Sequence, residues 1–299
     1  MRFFKKKEDI GRIYQGFSSS EMKQINKAGI QQWFAKGAPI FRKGQAGKEM
    51  FIIVDGAVHI VDDTVTPLKR IALLRQGELF GELSVSTRST KRSSQVQSLK
   101  RSASAIAAKD STLFVVQERT FSDLLHNHPE LASKLLMNLF YVTGERLRES
   151  IRNRLIDEGM PVPKLLKGLK APEKRRLLKF SKVVAVAKGQ AVFREGDEGK
   201  EMYYVLHGMI EIVKKTRDRH KRLTVLGEGD IFGELGLTTG KSRMASAVAI
   251  ADSELLAMIE DGLNKLRKKN PEIATKVFHN LFRITTVRLR SLITPVIGA

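Results

Sequence analysis

The chain of 299 residues contains no cysteine, and no run of about 18 apolar residues occurs in it. The absence of cysteine excludes disulfide frameworks, thiol catalysis, cysteine-ligated zinc and iron–sulfur clusters. Segment 1–7 has no apolar stretch long enough for a signal peptide. The sequence therefore predicts a soluble, cytoplasmic protein. The 6 histidines form no pair at the helical spacing of metal ligands, so no metal site is expected. No resident cofactor is expected either.

Acidic residues are scarce relative to basic ones, with 32 Asp and Glu against 53 Lys and Arg and a formal net charge of +21. The excess is +11 up to residue 155 and +10 after it, so it does not form a basic tail. Such a balance favours anionic partners: phosphate, nucleic acid, an anionic membrane or an acidic protein. The hydrophobic fraction of 42% is that of a globular protein, and the length predicts two domains of about 150 residues.

One sequence pattern occurs twice. Residues 36–61 recur 152 positions later as 188–213, with 12 of 26 positions identical. The same offset carries Phe80-Gly81-Glu82-Leu83 onto Phe232-Gly233-Glu234-Leu235. Beyond this point the offset is 142 and pairs Arg101 with Arg243, so the first copy carries an insertion at about 85–100. A repeat of this length indicates a duplicated module, which we divide as residues 1–155 and 156–299.

Each copy predicts a mainly β module with flanking helices, an α+β class. Ser18 to Ser20 before Glu21, and Pro172 before Glu173, are helix-start signals. The short β-rich runs joined by glycine turns favour an antiparallel barrel or sandwich. Apolar residues at spacings of three and four predict closing helices over residues 120–127, 129–152, 262–269 and 271–293, and the segment 157–163 reads as the linker.

The second copy carries the clearest site. Phe232-Gly233-Glu234-Leu235 is followed, ten positions after Gly233, by Arg243-Met244-Ala245. A short helix beginning at Gly233 would offer free backbone N–H groups to an anion, and a guanidinium grips two phosphate oxygens in a fork. A carboxylate such as Glu234 suits a ribose hydroxyl.

These motifs resemble the phosphate-binding cassette of the cyclic nucleotide-binding domain family, which includes regulatory subunits of cyclic-AMP-dependent protein kinase and catabolite-activator-type regulators. The resemblance covers nearly the whole chain as two tandem copies. It implies two cyclic nucleotide-binding β-barrel, jelly-roll-like domains, with the Ala245 backbone donating to phosphate. The implied ligand is cyclic AMP first and cyclic GMP second, because Met244 cannot donate a side-chain hydrogen bond to guanine.

The first copy matches this pattern less closely. Its candidate residues are Gly81, Glu82, Leu83, Arg101, Ser102 and Ala103. Arg92 keeps a similar spacing from Gly81, but only Arg101 preserves the downstream register. The stretch 84–101 holds five basic residues, eight Ser or Thr and no acid, which is typical of an exposed loop. Ligand binding by this copy stays open.

These observations predict a regulatory protein without catalytic activity, whose conformation changes on ligand binding and which controls a protein partner. Residues 236–242 resemble the end of a P-loop, but Leu235 stands where its first glycine belongs, and the residues after Arg243 predict a strand. The alternative is a basic scaffold with degenerate sensor domains that binds nucleic acid, an anionic membrane or an acidic protein partner. The sequence does not specify the oligomeric state.

Overall fold

The computed structural model describes residues 12–82, 100–152, 164–215 and 220–293. Contacts divide it into two compact units, one that runs to Leu139 and takes in Ile293, and one that runs from Phe140 to Leu292. This division falls inside a closing helix, whereas the sequence repeat places the module boundary between residues 155 and 156. The repeat boundary stays a prediction, and the expected linker at 157–163 lies outside the described residues.

In the first unit a short 3-10 helix (Arg12–Tyr14) precedes helix α1 (Ser19–Lys27), and the unit also contains helix α2 (Glu118–Asn127) and the first part of helix α3 (Pro129–Arg152). A hydrogen bond from the Glu21 amide to the Ser18 hydroxyl caps α1, as the sequence predicts. Its strands are β1 (Gly29–Phe34), β2 (Pro39–Phe41), β3 (Glu49–Asp55), β4 (Ala57–Asp62), β5 (Lys69–Arg75), β6 (Leu79–Phe80), β7 (Ser104–Ala107) and β8 (Ser111–Gln117).

These strands form two four-stranded antiparallel sheets, in the orders β1-β8-β3-β6 and β2-β7-β4-β5. Alternate residues of a strand point to opposite faces, so each sheet turns one apolar face inward. Phe51, Ile53 and Leu113 from one sheet and Val58 and Ala105 from the other form one buried cluster. The prediction of a mainly β module is confirmed. Within the described residues the two sheets do not close into a barrel, and they are better described as a jelly-roll sandwich.

The second unit repeats this architecture. It takes in the rest of α3, from Phe140, and then helix α4 (Ala171–Leu178), a short helix α5 (Glu234–Thr239) between its strands, and helices α6 (Glu260–Lys269) and α7 (Pro271–Ile293). Its strands are β9 (Lys182–Val186), β10 (Ala191–Phe193), β11 (Glu201–His207), β12 (Ile210–Lys215), β13 (His220–Leu226), β14 (Ile231–Phe232), β15 (Ser246–Ala249) and β16 (Ser253–Ile259). They form two sheets in the orders β14-β11-β16-β9 and β10-β15-β12-β13.

An ion pair at the same repeat position joins α1 to α3 in the first unit and α4 to α7 in the second. Lys134 Nζ lies 2.9 Å from a carboxylate oxygen of Glu21, and Lys276 Nζ lies 2.6 Å from one of Glu173. Burial alone would raise the pKa of Glu173, but the Lys276 hydrogen bond and the Lys170 amide outweigh it and hold that pKa below its ordinary value. The repeat thus preserves tertiary contacts as well as sequence. No helix within the described ranges is long and apolar enough to cross a membrane.

Candidate functional site

The turn between β14 and α5 is built on glycine. Gly233 has φ 75°, a left-handed conformation that glycine adopts without strain. A Cβ atom at this position would lie 2.8 Å from Arg243 Nη1 and 3.2 Å from the Glu201 carbonyl oxygen. At Gly236, inside α5, a Cβ atom would also lie 2.8 Å from Arg243 Nη1. Both glycines therefore make room for a guanidinium against the backbone.

Arg243 fills that room. Its Nη1 donates to the carbonyl oxygens of Glu201, at 2.7 Å, and Gly233, at 2.9 Å. Its Cζ lies 4.1 Å from the centre of the Phe193 ring, which holds the guanidinium plane from the other side. The residue is 6% exposed, and Nε is buried without a hydrogen-bond partner in the described part of the chain. Burial lowers the pKa of Arg243, with nearby Tyr203 and acidic groups opposing the shift, and arginine stays charged.

Glu234, the first residue of α5, is 4% exposed. Its Oε1 accepts a hydrogen bond from Arg288 Nη1 of α7 at 2.5 Å, and Arg288 Nη2 donates to the Ile231 carbonyl at 2.7 Å. Two buried opposite charges need each other, because each would otherwise lose its hydration without compensation. The ion pair therefore ties the closing helix directly to the turn that holds Arg243. Within the described residues, Oε2 of Glu234 makes no hydrogen bond.

The first unit places Arg101 in the same arrangement. Arg101 Nη1 donates to the carbonyl oxygens of Glu49, at 2.9 Å, and Gly81, at 3.1 Å, and its Cζ lies 4.1 Å from the Phe41 ring centre. Gly81 has φ 73°, and Arg101 is 6% exposed. Burial lowers the pKa of Arg101, and Glu49 opposes the shift. The guanidinium–glycine unit is thus present twice.

Of the residues predicted for the second site, the structure brings together Arg243, Gly233 and Glu234. Phe232 is buried and stacks on Tyr203 with ring centres 5.2 Å apart, so it supports the turn from the core. Leu235, which precedes Arg243, and Met244 and Ala245, which directly follow it, are half-buried.

In the first copy Glu82 and Ala103 are buried and Ser102 is half-buried. Leu83, Arg92 and most of the insertion lie outside the described residues. The strand predicted after Arg243 is confirmed as β15. Because a P-loop is followed by a helix, residues 236–242 are not a P-loop. In the described ranges no group of three His, Asp or Glu side chains could hold a metal ion.

Sequence reasoning missed three parts of the site. In the sequence, Arg288 belongs to an Arg-Leu-Arg triplet at residues 288–290 that matches residues 146–148, and nothing in this match indicates an ion pair with Glu234. The aromatic ring under each guanidinium, Phe41 or Phe193, lies in the repeated segment but carries no polar signal. The carboxylates of Glu49 and Glu201 also escaped notice, because a glutamate beside a strand reads as a solvated charge.

The family model of the cyclic nucleotide-binding domain matches residues 31–128 and again residues 183–270. The chain therefore belongs to the cyclic nucleotide-binding domain family and carries two copies of its domain.

Two curated relatives show the range of the similarity. A cyclic AMP receptor protein of Thermus thermophilus is 33% identical over 127 residues, which cover 42% of this chain and 57% of that protein. The type II regulatory subunit of cyclic-AMP-dependent protein kinase from Drosophila melanogaster is 23% identical over 251 residues, or 83% of this chain and 57% of that protein. The chain thus spans little more than half the length of these relatives.

Among solved structures, the regulatory subunit of a cyclic-AMP-independent protein kinase A from Trypanosoma brucei matches with a TM-score of 0.35 and 18% identity. The match covers 88% of this chain and 90% of that one.

Proposed function

We propose that this chain is a sensor and regulatory protein that binds a cyclic nucleotide, cyclic AMP first and cyclic GMP second, and controls a protein partner without catalysing a reaction. The observation that carries the proposal is the buried Arg243 beside the Gly233 turn. Nη1 is held by two carbonyl oxygens, whereas Nε is buried with no acceptor among the described residues. A buried donor without an acceptor is costly, and an anionic oxygen would satisfy it.

The residues around Arg243 suit a cyclic phosphodiester joined to a ribose. The amides of Glu234 and Leu235, the first two of α5, have no acceptor in that helix, and they directly follow the Gly233 carbonyl that accepts from Arg243 Nη1. Glu234 Oε2 has no hydrogen bond from the described residues, so it can accept one from a ribose 2′-hydroxyl while Oε1 stays paired with Arg288. A cation for the phosphate and a carboxylate for the sugar hydroxyl thus lie a few residues apart, which supports a sugar phosphate as the ligand.

The Glu234–Arg288 pair gives the ligand a route to the rest of the module. Arg288 belongs to α7, and its two Nη groups hold Glu234 and the Ile231 carbonyl at the ends of the turn. A ligand that draws the turn inward must move this pair or α7 with it. Binding shifts the helix only as far as the ligand prefers one arrangement over the other. Control of a partner would use that movement.

Calorimetric titration of cyclic AMP and cyclic GMP into the wild-type chain tests the proposal. We expect saturable binding with cyclic AMP preferred in the second module, since Met244 offers no side-chain donor to guanine, whereas Ser102 leaves the first module open. A stoichiometry of one or two reports whether the first module contributes. Absence of binding by both nucleotides would contradict the proposal.

The net charge of +21 favours a second candidate, a basic scaffold that binds nucleic acid, an anionic membrane or an acidic protein. A mobility-shift assay with a DNA duplex and a flotation assay with anionic vesicles test it. If the chain binds tightly in either assay but binds neither cyclic nucleotide, the scaffold function is the better supported of the two. The cytoplasmic location remains a prediction of the sequence.

A further inference from the structure

The two guanidinium sites share several contacts among the described residues, and they differ at one aromatic residue, which carries a hydroxyl group in the second site only. In each, an arginine lies over an aromatic ring at 4.1 Å and donates to two backbone carbonyls. Each also has a glutamate at the start of a strand, Glu49 or Glu201, and an aromatic residue two positions later. Residues i and i+2 of a strand share a face. The aromatic residue is Phe51 in the first site and Tyr203 in the second.

In the second site the tyrosine hydroxyl holds the glutamate. Tyr203 Oη donates a hydrogen bond to Glu201 Oε2. The Tyr203 ring is fixed in turn by stacking on Phe232, so the hydroxyl has a defined position. Among the described residues, no carboxylate oxygen lies within ion-pairing distance of the Arg243 guanidinium. The charge of Arg243 is therefore not neutralised by direct contact with an acid.

In the first site the glutamate holds the arginine instead. Phe51 stacks on Phe80 with ring centres 5.0 Å apart, in the same way as its counterpart, but it has no hydroxyl. The carboxylate of Glu49 turns to the guanidinium, and its Oε2 lies 3.1 Å from Arg101 Nη2. The Arg101 side chain is 4% exposed, so this ion pair occupies a fork that a phosphate would otherwise grip.

We propose that the residue two positions after this glutamate, Tyr203 or Phe51, determines how tightly each module binds an anionic phosphate. Tyr203 is a positioning residue that keeps the Glu201 carboxylate off Arg243. Without a hydroxyl at Phe51, Glu49 competes with phosphate for Arg101. This inference rests on the proposed function, and it makes the second module the tighter site.

Titrations with cyclic AMP test the effect on ligand binding, in variants that keep only one of the two arginine sites. In an Arg101→Ala background, Tyr203→Phe should weaken binding about fivefold, the effect of a partly exposed ion pair. Adding Glu201→Gln should restore affinity to within about twofold, because a neutral side chain competes poorly for a guanidinium. In an Arg243→Ala background, Phe51→Tyr and Glu49→Gln should each strengthen binding about fivefold. A purely structural role for Tyr203 predicts no rescue by Glu201→Gln, and that result would overturn the inference.

A ligand-free crystal structure of the Tyr203→Phe variant tests the positioning step without any nucleotide. We expect a Glu201 carboxylate oxygen to move towards the Arg243 guanidinium, to about the distance that separates Glu49 from Arg101. In the reciprocal Phe51→Tyr variant, we expect the Glu49 carboxylate to move away from Arg101. A Glu201 carboxylate that stays away from Arg243 would refute the inference. Absence of cyclic nucleotide binding in the wild-type chain would instead reject the proposed function, whereas wild-type binding with unchanged Tyr203→Phe affinity rejects this inference alone.

Discussion

Replacing Arg243 by alanine tests the proposed site most directly. The change removes the guanidinium of a residue that is 6% exposed, and with it the hydrogen bond from Nη1 to the Gly233 carbonyl. A bound cyclic phosphodiester would then keep its negative charge in a mostly buried place without a counter-charge. Truncating one member of such a pair costs about 2 to 5 kcal/mol. At 1.4 kcal/mol for each factor of ten, that corresponds to a loss of about 30-fold to about 4,000-fold in affinity.

The same substitution also affects the ligand-free protein. The Glu201 and Gly233 carbonyl oxygens lose their donor at 2.7 and 2.9 Å, which costs about 1 to 3 kcal/mol of folding stability when they stay buried. Arg243→Lys keeps a charge but not the fork, so it should bind cyclic AMP more weakly than wild type and more tightly than Arg243→Ala. The order of the three affinities therefore separates charge from geometry.

Calorimetric titration with cyclic AMP measures these affinities, and urea unfolding of each variant reports its folded fraction. Arg222 provides a matched control, because its side chain is 68% exposed and its loss also removes one positive charge. Arg222→Ala should bind like wild type. Equal affinity for wild type and a folded Arg243→Ala variant would refute the assignment of the phosphate site.

Three further substitutions probe the scaffold around the site. Gly233→Ala places a Cβ 2.8 Å from a guanidinium nitrogen at φ 75°, so calorimetry should show cyclic AMP binding weakened at least about tenfold. Gly144→Ala places a Cβ 2.3 Å from Thr238 Oγ1 and should lower the free energy of unfolding by about 1 to 3 kcal/mol in urea, with unchanged stability contradicting this packing. Because the folded pKa of Glu173 is lowered, its contribution to stability is present above its unfolded pKa and is lost as pH falls through the folded value. Glu173→Gln should therefore flatten the decline of unfolding free energy between about pH 5 and about pH 3, and a slope equal to wild type would show that Lys276 adds nothing.

Helices and strands were predictable because their signals are local. The apolar spacing and the proline at the first position give the bounds of Pro129–Arg152 and Pro271–Ile293 as the structure has them. The Ser18 cap likewise follows from a serine three residues before Glu21. Whether the sheets close into a barrel was not predictable in this way. Alternation along a strand sets which face is buried, but it does not say whether the two edges of a sheet meet.

Within the candidate site, the glycine turn and the arginine were predictable, and their partners were not. Gly233 and Arg243 lie ten positions apart in a repeated motif, so sequence alone relates them. Arg288 reaches Glu234 across 54 positions, and the contact depends on how α7 packs. The hydroxyl of Tyr203 is invisible to a hydrophobicity pattern, because phenylalanine and tyrosine fill the same core position. Tertiary packing therefore decides which charges are paired.

The two candidate functions depend on charge in different ways, and salt separates them. Exposed charges further apart than about 8 to 10 Å are largely screened at physiological ionic strength, whereas buried groups such as Arg243 are screened much less. Binding of nucleic acid releases many counterions, so its affinity falls steeply as salt rises. A cyclic nucleotide carries a single phosphate charge, and most of the proposed contacts to it come from backbone amides, one guanidinium and one carboxylate. A shallow salt dependence for cyclic AMP beside a steep one for DNA would show that the net charge of +21 and the Arg243 site act independently. An equally steep dependence for both ligands would instead assign cyclic AMP binding to the basic surface and contradict the proposed site.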